Sequence, residues 1–152
     1  MHNIALRAGT EPLNNDVKIK GAFLVHPYFS GSKQLAKETH NPNDENNLSY
    51  KLWMLAYPSA PGGIDNPMIN PFGANAPSLR GLGCARLLVC VAEKDGLRER
   101  GVGYYEGVKE SGWNGEIELF EALGEEHCYH VLKPGTSSTR DLIKRLASFI
   151  VV

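Results

Sequence analysis

Short apolar runs along this chain predict three strands. Residues 19–25 are apolar enough to be buried on both faces of a sheet, and His26-Pro27 ends this run because proline has no N–H to donate. Residues 87–92 form a second continuous apolar run. Residues 116–121 alternate acidic and apolar side chains, which is typical of an outer strand.

Helical spacing of apolar residues flanks and separates these strands. Residues 2–8 predict a short helix that ends at Gly9, and residues 97–111 predict a longer one that ends at Gly112. The inner face of the longer helix is assigned to Val102, Tyr105 and Val108. A last helix begins near Ser138, and its apolar stripe is assigned to Leu142, Ile143, Leu146, Phe149 and Ile150. Strands alternating with helices indicate an α/β fold with a parallel sheet and flanking helices.

Residues 31–77 interrupt this alternation with a loop-rich insertion. A polar stretch near Asn43 is followed by apolar residues at helical spacing, with Trp53 beside them, and then by prolines and glycines. An insertion of this length between two buried strands is usually a functional cap or lid. We therefore expect one domain over residues 1–152, with residues 31–77 as a cap-like insertion.

Composition narrows the classes of function. The chain has 152 residues, a net charge of −1 and scattered basic residues, so we expect neither a nucleic-acid partner nor a membrane partner. No apolar run approaches the roughly 18 residues that a membrane span needs, and no signal peptide is evident. The three cysteines suggest neither a disulfide framework nor a zinc site. These features favour a reducing, cytoplasmic setting.

An acid and a histidine follow two successive predicted strands. Asp95 comes just after residues 87–92, and His127 comes shortly after residues 116–121. Parallel strands place their carboxyl ends at one edge of the sheet, where α/β proteins bind ligands. In a serine hydrolase such an acid orients the histidine, which moves the proton of the nucleophile. The structural alternative is that Asp95-Gly96 is only a turn.

Other polar residues give weaker signals. His127 and His130 form a His-x-x-His with Glu125 and Glu126 nearby, but no third ligand is specified, so we predict no metal and no cofactor. His130 is interpreted as structural, and His26 and His40 have no evident role. The serines lack the Gly-x-Ser-x-Gly context that exposes a nucleophile, and there is no His-Gly-Gly oxyanion loop.

Several stretches together resemble the plant carboxylesterase family, in the hormone-sensitive-lipase-like branch of the α/β hydrolases. The similarity runs over nearly the whole chain. It is carried by HNIALRAG from His2, GAFLVHPYFSG from Gly21, DNPMINP from Asp65, VAEKDGLRERG from Val91, SGWNGE from Ser111 and GEEHCYH from Gly124.

The resemblance implies roles for two residues and a position in the fold. Asp95 matches the acid and His127 the histidine of the family's Ser-Asp-His triad. The helix from His2 matches the one that follows the nucleophile elbow, whose serine lies a few residues upstream, with the oxyanion glycines further upstream. The chain thus resembles the C-terminal half of such an enzyme, with a truncated sheet. We therefore expect a carboxylic ester hydrolase of the serine-esterase type, of which this chain carries the acid and the histidine, and we expect the chain to be inactive by itself.

The same family leaves alternatives open. The plant gibberellin receptor is a hormone-binding relative, but it replaces the triad histidine with an aliphatic residue, whereas His127 is present here. Two further hypotheses are that the chain is an inactive remnant of the family, or that it belongs to a dehydratase acting on isoflavonoids. In the complete enzyme the partner would be a small-molecule ester. In the family, the strand that matches residues 19–25 pairs with the strand that leads to the elbow, so we expect an unpaired edge here and self-association through it.

Overall fold

The computed structural model describes residues 1–11, 13–14, 17–35, 37–38, 41 and 43–151. In chain order the elements are α1 (His2–Thr10), β1 (Ile19–Val25), α2 (Leu48–Ala56), β2 (Cys84–Ala92), α3 (Arg98–Glu110), β3 (Glu116–Ala122), α4 (Tyr129–Leu132) and α5 (Ser137–Val151). Short 3₁₀ turns occupy Gly63–Asp65 and Leu79–Gly81. No helix in the described part of the chain is both long and apolar enough to cross a bilayer.

The three strands form one parallel sheet in the order β1-β2-β3. Val25 lies beside Cys90, and Ala92 lies beside Ala122, so all three strands end at one edge. The central strand is the apolar run that the sequence marks, and its residues from Leu87 to Ala92 are almost completely buried. The α/β fold with parallel strands and flanking helices is confirmed.

Alternate residues of β2 divide the core between the two faces of the sheet. Leu87, Val89 and Val91 pack with α1 and with Tyr104 and Val108 of α3. On the opposite face, Leu88, Cys90 and Ala92 pack with α4 and α5. A strand buried on both sides needs apolar residues at every position, which is why β2 is a continuous apolar run.

Several helix faces and ends differ from the predictions. Helix α1 continues through Gly9 to Thr10, and the glycine is required because it lies against the backbone of Gly81 and Gly83, where a side chain would not fit. Helix α3 buries Arg100 and Tyr104, while Val102 and Tyr105 are only partly buried. Helix α5 begins after Thr136, whose hydroxyl accepts from the Thr139 N–H, and it leaves both isoleucines of the predicted stripe, Ile143 and Ile150, exposed.

The segment of residues 31–77 has its own small core. Trp53 of α2 packs with Ile64 and Ile69, and its indole N–H donates to the Gly63 carbonyl at 2.9 Å. The leucines that gave α2 its helical spacing, Leu48, Leu52 and Leu55, are exposed instead. The cap-like role of this segment stays a prediction.

The outer edge of β1 leads to a prediction about association. Within the described residues no strand pairs with that edge, and Phe23 on it is 41% exposed. Unpaired backbone groups beside apolar side chains are a template for strand pairing. We expect the 152-residue polypeptide to self-associate with rising concentration and Phe23→Lys to weaken this association, as measured by sedimentation velocity.

The matched control places the same charge away from the edge. Ile143→Lys on α5 changes a residue that is 58% exposed and should leave the association unchanged. A polypeptide that remains monomeric at all concentrations would contradict the prediction.

Candidate active site

Two loops meet at the carboxyl edge of the sheet. One follows β2 and carries Asp95; the other follows β3 and carries His127. Two hydrogen bonds join the loops: the Lys94 N–H donates to the Glu125 backbone carbonyl at 2.9 Å, and the Gly124 N–H donates to the Glu93 side chain, at Oε2, over 2.6 Å. Register between β2 and β3 thus continues past the strand ends and fixes the loops side by side.

Asp95 and His127 are in direct contact at this edge. His127 Nδ1 lies 2.8 Å from Asp95 Oδ2. The Asp95 side chain is 3% exposed, whereas that of His127 is 47% exposed. The buried acid therefore holds one nitrogen of a ring that is open to solvent. The structure brings the two predicted residues together, and their catalytic roles stay a prediction.

The turn interpretation of Asp95 also holds, because its two carboxylate oxygens have different partners. Oδ1 accepts from the Leu97 N–H at 2.9 Å, and the Asp95 carbonyl accepts from the Arg98 N–H at 2.9 Å, at the start of α3. Oδ2 remains for His127. The helix start thus fixes the carboxylate that orients the imidazole.

The bond to Asp95 fixes what the ring can do chemically. With Nδ1–H donating to a carboxylate, the neutral ring keeps its lone pair on Nε2. No hydrogen bond within the described residues engages that Nε2. His127 is therefore arranged to accept a proton at Nε2 and to be stabilised as a cation by Asp95.

A second histidine lies behind this pair. His26 directly follows β1, is 5% exposed, and has its ring centroid 5.4 Å from that of His127. Its Nδ1 accepts from the Cys128 N–H at 2.8 Å. Burial lowers the pKa of His26 to about 4, against a raising effect of Asp95, so the ring is neutral near pH 7.

The side chains around His127 can also be examined as ligands for a metal ion. Within the described residues, one group of histidine, cysteine or acidic side chains is compact enough to share an ion: His26, His127 and Cys128. His26 Nδ1 is occupied by the Cys128 N–H, so the ring proton lies on Nε2 and neither nitrogen has a free lone pair. These residues do not fit a metal ion.

His130 packs against the His26 ring at 5.2 Å, and His40 lies outside the described residues.

Buried histidines predict a dependence of stability on pH. His2 of α1 is buried, and its Nδ1 is hydrogen-bonded to the Tyr104 hydroxyl at 2.9 Å. Burial lowers the pKa of His2 to about 4, as it does for His26. In the unfolded chain these histidines take up a proton near pH 6.5, whereas in the folded chain they do so only near pH 4. The free energy of unfolding therefore decreases as the pH falls from 6.5 to 4. We expect a loss of up to about 3 kcal/mol from each histidine.

Urea unfolding at several pH values between 7 and 4 measures this effect. His26→Asn keeps a hydrogen-bond acceptor but cannot bind the proton, so its stability should fall less over the same interval. Carboxylates titrate equally in both proteins and cancel in the comparison. Parallel pH curves for the two proteins would show that His26 does not titrate as the structure implies.

A cleft of about 480 Å³ opens beside His127. Tyr28, Leu48, Leu52 and Leu97 line it together with the imidazole. Two of the exposed leucines of α2, Leu48 and Leu52, thus form an apolar wall beside the candidate catalytic residue. A larger cleft of about 610 Å³ lies at the amino ends of β1 and β2, next to Lys18 and Lys20, but no acid–histidine pair is found among the described residues that line it. The smaller cleft is therefore the candidate substrate site.

A buried ion pair ties the segment of residues 31–77 to the sheet. Arg100 of α3 donates from Nε to Glu38 Oε1 at 2.5 Å and from Nη2 to Oε2 at 2.9 Å. Arg100 also donates to the carbonyls of Gly31 and Lys33. These bonds hold the segment over the helix that begins at the Asp95 turn.

Comparison with known proteins assigns the family. A family model described as the alpha/beta hydrolase fold matches residues 1–131. This chain belongs to the α/β hydrolase family. The resemblance of the sequence to plant carboxylesterases is confirmed, because its plant relatives include a protein named as a carboxylesterase.

Three plant relatives of this α/β hydrolase illustrate the similarity. It is 49% identical to 2-hydroxyisoflavanone dehydratases of Glycyrrhiza echinata and Glycine max, over 99% of this chain and 45% and 47% of theirs. It is 37% identical to Probable carboxylesterase 2 of Arabidopsis thaliana, over 98% of this chain and 46% of that protein. The chain therefore spans about half the length of the curated relatives it matches.

Solved esterases share the fold of this α/β hydrolase. The esterase rPPE superposes with a TM-score of 0.71 at 20% identity, over 93% of this chain and 44% of that one. The hyperthermophilic esterase of the archaeon Pyrobaculum calidifontis gives a TM-score of 0.67 at 21% identity, over 97% and 48%. At this level of identity the likeness concerns the fold.

Sequence reasoning missed the contacts of His26, Glu38 and Arg100. A signal for His26 was present, since a histidine that directly follows a buried parallel strand must lie at the same edge as Asp95 and His127. Glu38 and Arg100 gave no such signal. They lie on separate segments of the chain, and only folding places them 2.5 Å apart.

Proposed function

We propose that this chain supplies the acid and the histidine of a carboxylic ester hydrolase of the serine-esterase type. The observation that carries the proposal is the 2.8 Å contact between buried Asp95 and half-exposed His127 at the carboxyl edge of the sheet. The family and the esterase fold of its solved neighbours support it. A reducing compartment such as the cytoplasm suits its three free cysteines.

The geometry supports a definite sequence of proton transfers. A serine hydroxyl placed at His127 Nε2 would lose its proton to that nitrogen as it attacks the ester carbonyl. His127, then a cation beside Asp95, would return the proton to the departing alkoxide, which leaves as the alcohol. A water molecule would follow the same path and release the acid from the acyl-serine. Neither a Gly-x-Ser-x-Gly nor a His-Gly-Gly occurs in these 152 residues, so they carry two of the three triad groups.

The cleft favours a small ester with an apolar group. Its wall beside His127 is built from Tyr28 and from Leu48 and Leu52 of α2. Apolar walls with a few polar groups are typical of small-molecule sites. The near-neutral net charge supports the same class of substrate rather than a polyanion.

Assay of two protein forms tests the proposal. The 152-residue polypeptide alone should show no saturable turnover of a chromogenic butyrate ester, because a positioned nucleophile and oxyanion donors each contribute orders of magnitude. Fusion to a nucleophile-bearing N-terminal segment of a carboxylesterase relative should give turnover that a serine-directed phosphonate abolishes. Saturable, phosphonate-sensitive turnover by the polypeptide alone, or a well-folded fusion without any turnover, would count against it.

A dehydratase is the second candidate, because two relatives at 49% identity carry that name. Loss of water requires a base that takes a proton from carbon and a donor that protonates the leaving hydroxyl, and His127 can serve as that base through the same Nε2. Incubating the fusion with a 2-hydroxyisoflavanone and with the ester distinguishes the two reactions. A hormone-binding module or an inactive remnant would show neither, and the presence of His127 argues for catalysis.

A further inference from the structure

Two strained backbone positions face each other behind the Asp95–His127 pair. In the described chain, the non-glycine residues with positive φ are His26, at 47°, and Cys128, at 55°. Such conformations are unfavourable and persist only where the surroundings enforce them. One hydrogen bond joins these two residues directly, from the Cys128 N–H to His26 Nδ1 at 2.8 Å.

His26 is itself firmly held. Its own N–H donates to the Cys90 carbonyl at 2.8 Å, which extends the pairing of β1 with β2 by one residue. Its ring is buried and packs at 5.5 Å from Tyr129 and 5.2 Å from His130. The acceptor that meets Cys128 is therefore fixed by the sheet.

Cys128 directly follows His127 in the chain. The conformation of the Cys128 backbone therefore affects where the His127 side chain points. The His127–Cys128 pair has two anchors: Asp95 binds the His127 side chain, and His26 binds the Cys128 backbone. A neutral acceptor suits this place. A carboxylate there would add a second negative charge beside Asp95, and a protonated ring would lose its acceptor.

We propose that His26 is a positioning residue of the active site, which aims His127 at the nucleophile by holding the Cys128 backbone in its left-handed conformation. The inference rests on the proposed function for its catalytic meaning, but its structural content is independent of that function. His26 acts through Nδ1 as an acceptor and takes no part in the proton transfers.

Two substitutions separate the acceptor from the strain. His26→Asn provides an oxygen near the place of Nδ1, and asparagine tolerates positive φ. His26→Gly also tolerates positive φ but has no acceptor. Amide exchange of Cys128 and the NMR signal of the His127 Nδ1 proton are measured in the 152-residue chain, with thermal unfolding of each variant as the control for global stability.

We expect Asn to keep the protected Cys128 amide and the His127 Nδ1 signal. Gly should raise the exchange rate of the Cys128 amide about tenfold or more relative to neighbouring loop amides, as expected for a lost hydrogen bond of about 1.4 kcal/mol, and should broaden or remove the Nδ1 signal. In the esterase-competent fusion, Gly should lower kcat about tenfold with KM unchanged, and Asn should restore it.

Three results would overturn the inference. Gly could leave both NMR signals as in the wild type, or Asn could lose them as fully as Gly, or Asn could unfold the chain, which would make His26 a packing residue. Absence of turnover in the wild-type fusion would count against the proposed function only, since the NMR measurements decide the role of His26 by themselves.

Discussion

His127→Ala is expected to lower kcat about 10⁴-fold or more in a form that joins these 152 residues to a nucleophilic serine. Within the described site, no other group has both a nitrogen bound to the buried acid and a second nitrogen open to the cleft. Without His127 the serine proton has no acceptor in place. Initial rates with a butyrate ester measure the effect.

Asp95→Asn is expected to be nearly as severe, about 10⁴-fold, because an amide does not fix the productive tautomer or stabilise the imidazolium. The Asn side-chain oxygen can still accept from the Leu97 N–H, so the start of α3 should survive, as circular dichroism will show. His130→Ala is the control. His130 packs on His26 and makes no described contact with Asp95, so its loss should change kcat by far less. An inactive His130 variant beside an active His127 variant would mean that the assignment of the histidine is wrong.

Glu38→Gln is expected to lower the free energy of unfolding by about 3–5 kcal/mol, the usual result of removing one partner of a buried ion pair. The side chains of Arg100 and Glu38 are 2% and 1% exposed, so the remaining guanidinium charge has no access to water. Urea denaturation at neutral pH measures the change. Replacing both residues by apolar ones of similar volume should recover much of the loss, because no unpaired charge then remains.

The exposed pair of Arg7 and Glu11 provides the matched control. Their side chains are 77% and 68% exposed at a separation of 3.3 Å, so Glu11→Gln should cost less than about 1 kcal/mol. Equal losses for Glu38→Gln and Glu11→Gln would contradict the view that burial makes the inner pair important.

The sequence by itself determined where the strands lie and that β2 is buried on both faces, whereas β1, which was predicted to be buried on both faces too, leaves Phe23 41% exposed. Strand β1 has the predicted bounds, and β2 and β3 extend the predicted runs at one end each, because a strand buried on both faces needs an unbroken apolar run and an outer strand alternates. The parallel arrangement then required the ends of β2 and β3 to share an edge. For this reason Asp95 and His127 could be chosen from the sequence, and the structure places them 2.8 Å apart.

Only the tertiary structure decided which helix faces are buried and what surrounds the pair. The periodicity of α2 showed a helix, but not that Trp53 would be buried and Leu52 would face the cleft. Gly9 looked like a helix end and is instead a contact with Gly81. The His26–Cys128 bond joins residues 102 positions apart, and the Glu38–Arg100 pair joins residues 62 apart. Such pairings leave no local periodicity in the sequence, since they depend on how the elements cross in space rather than on spacing along the chain.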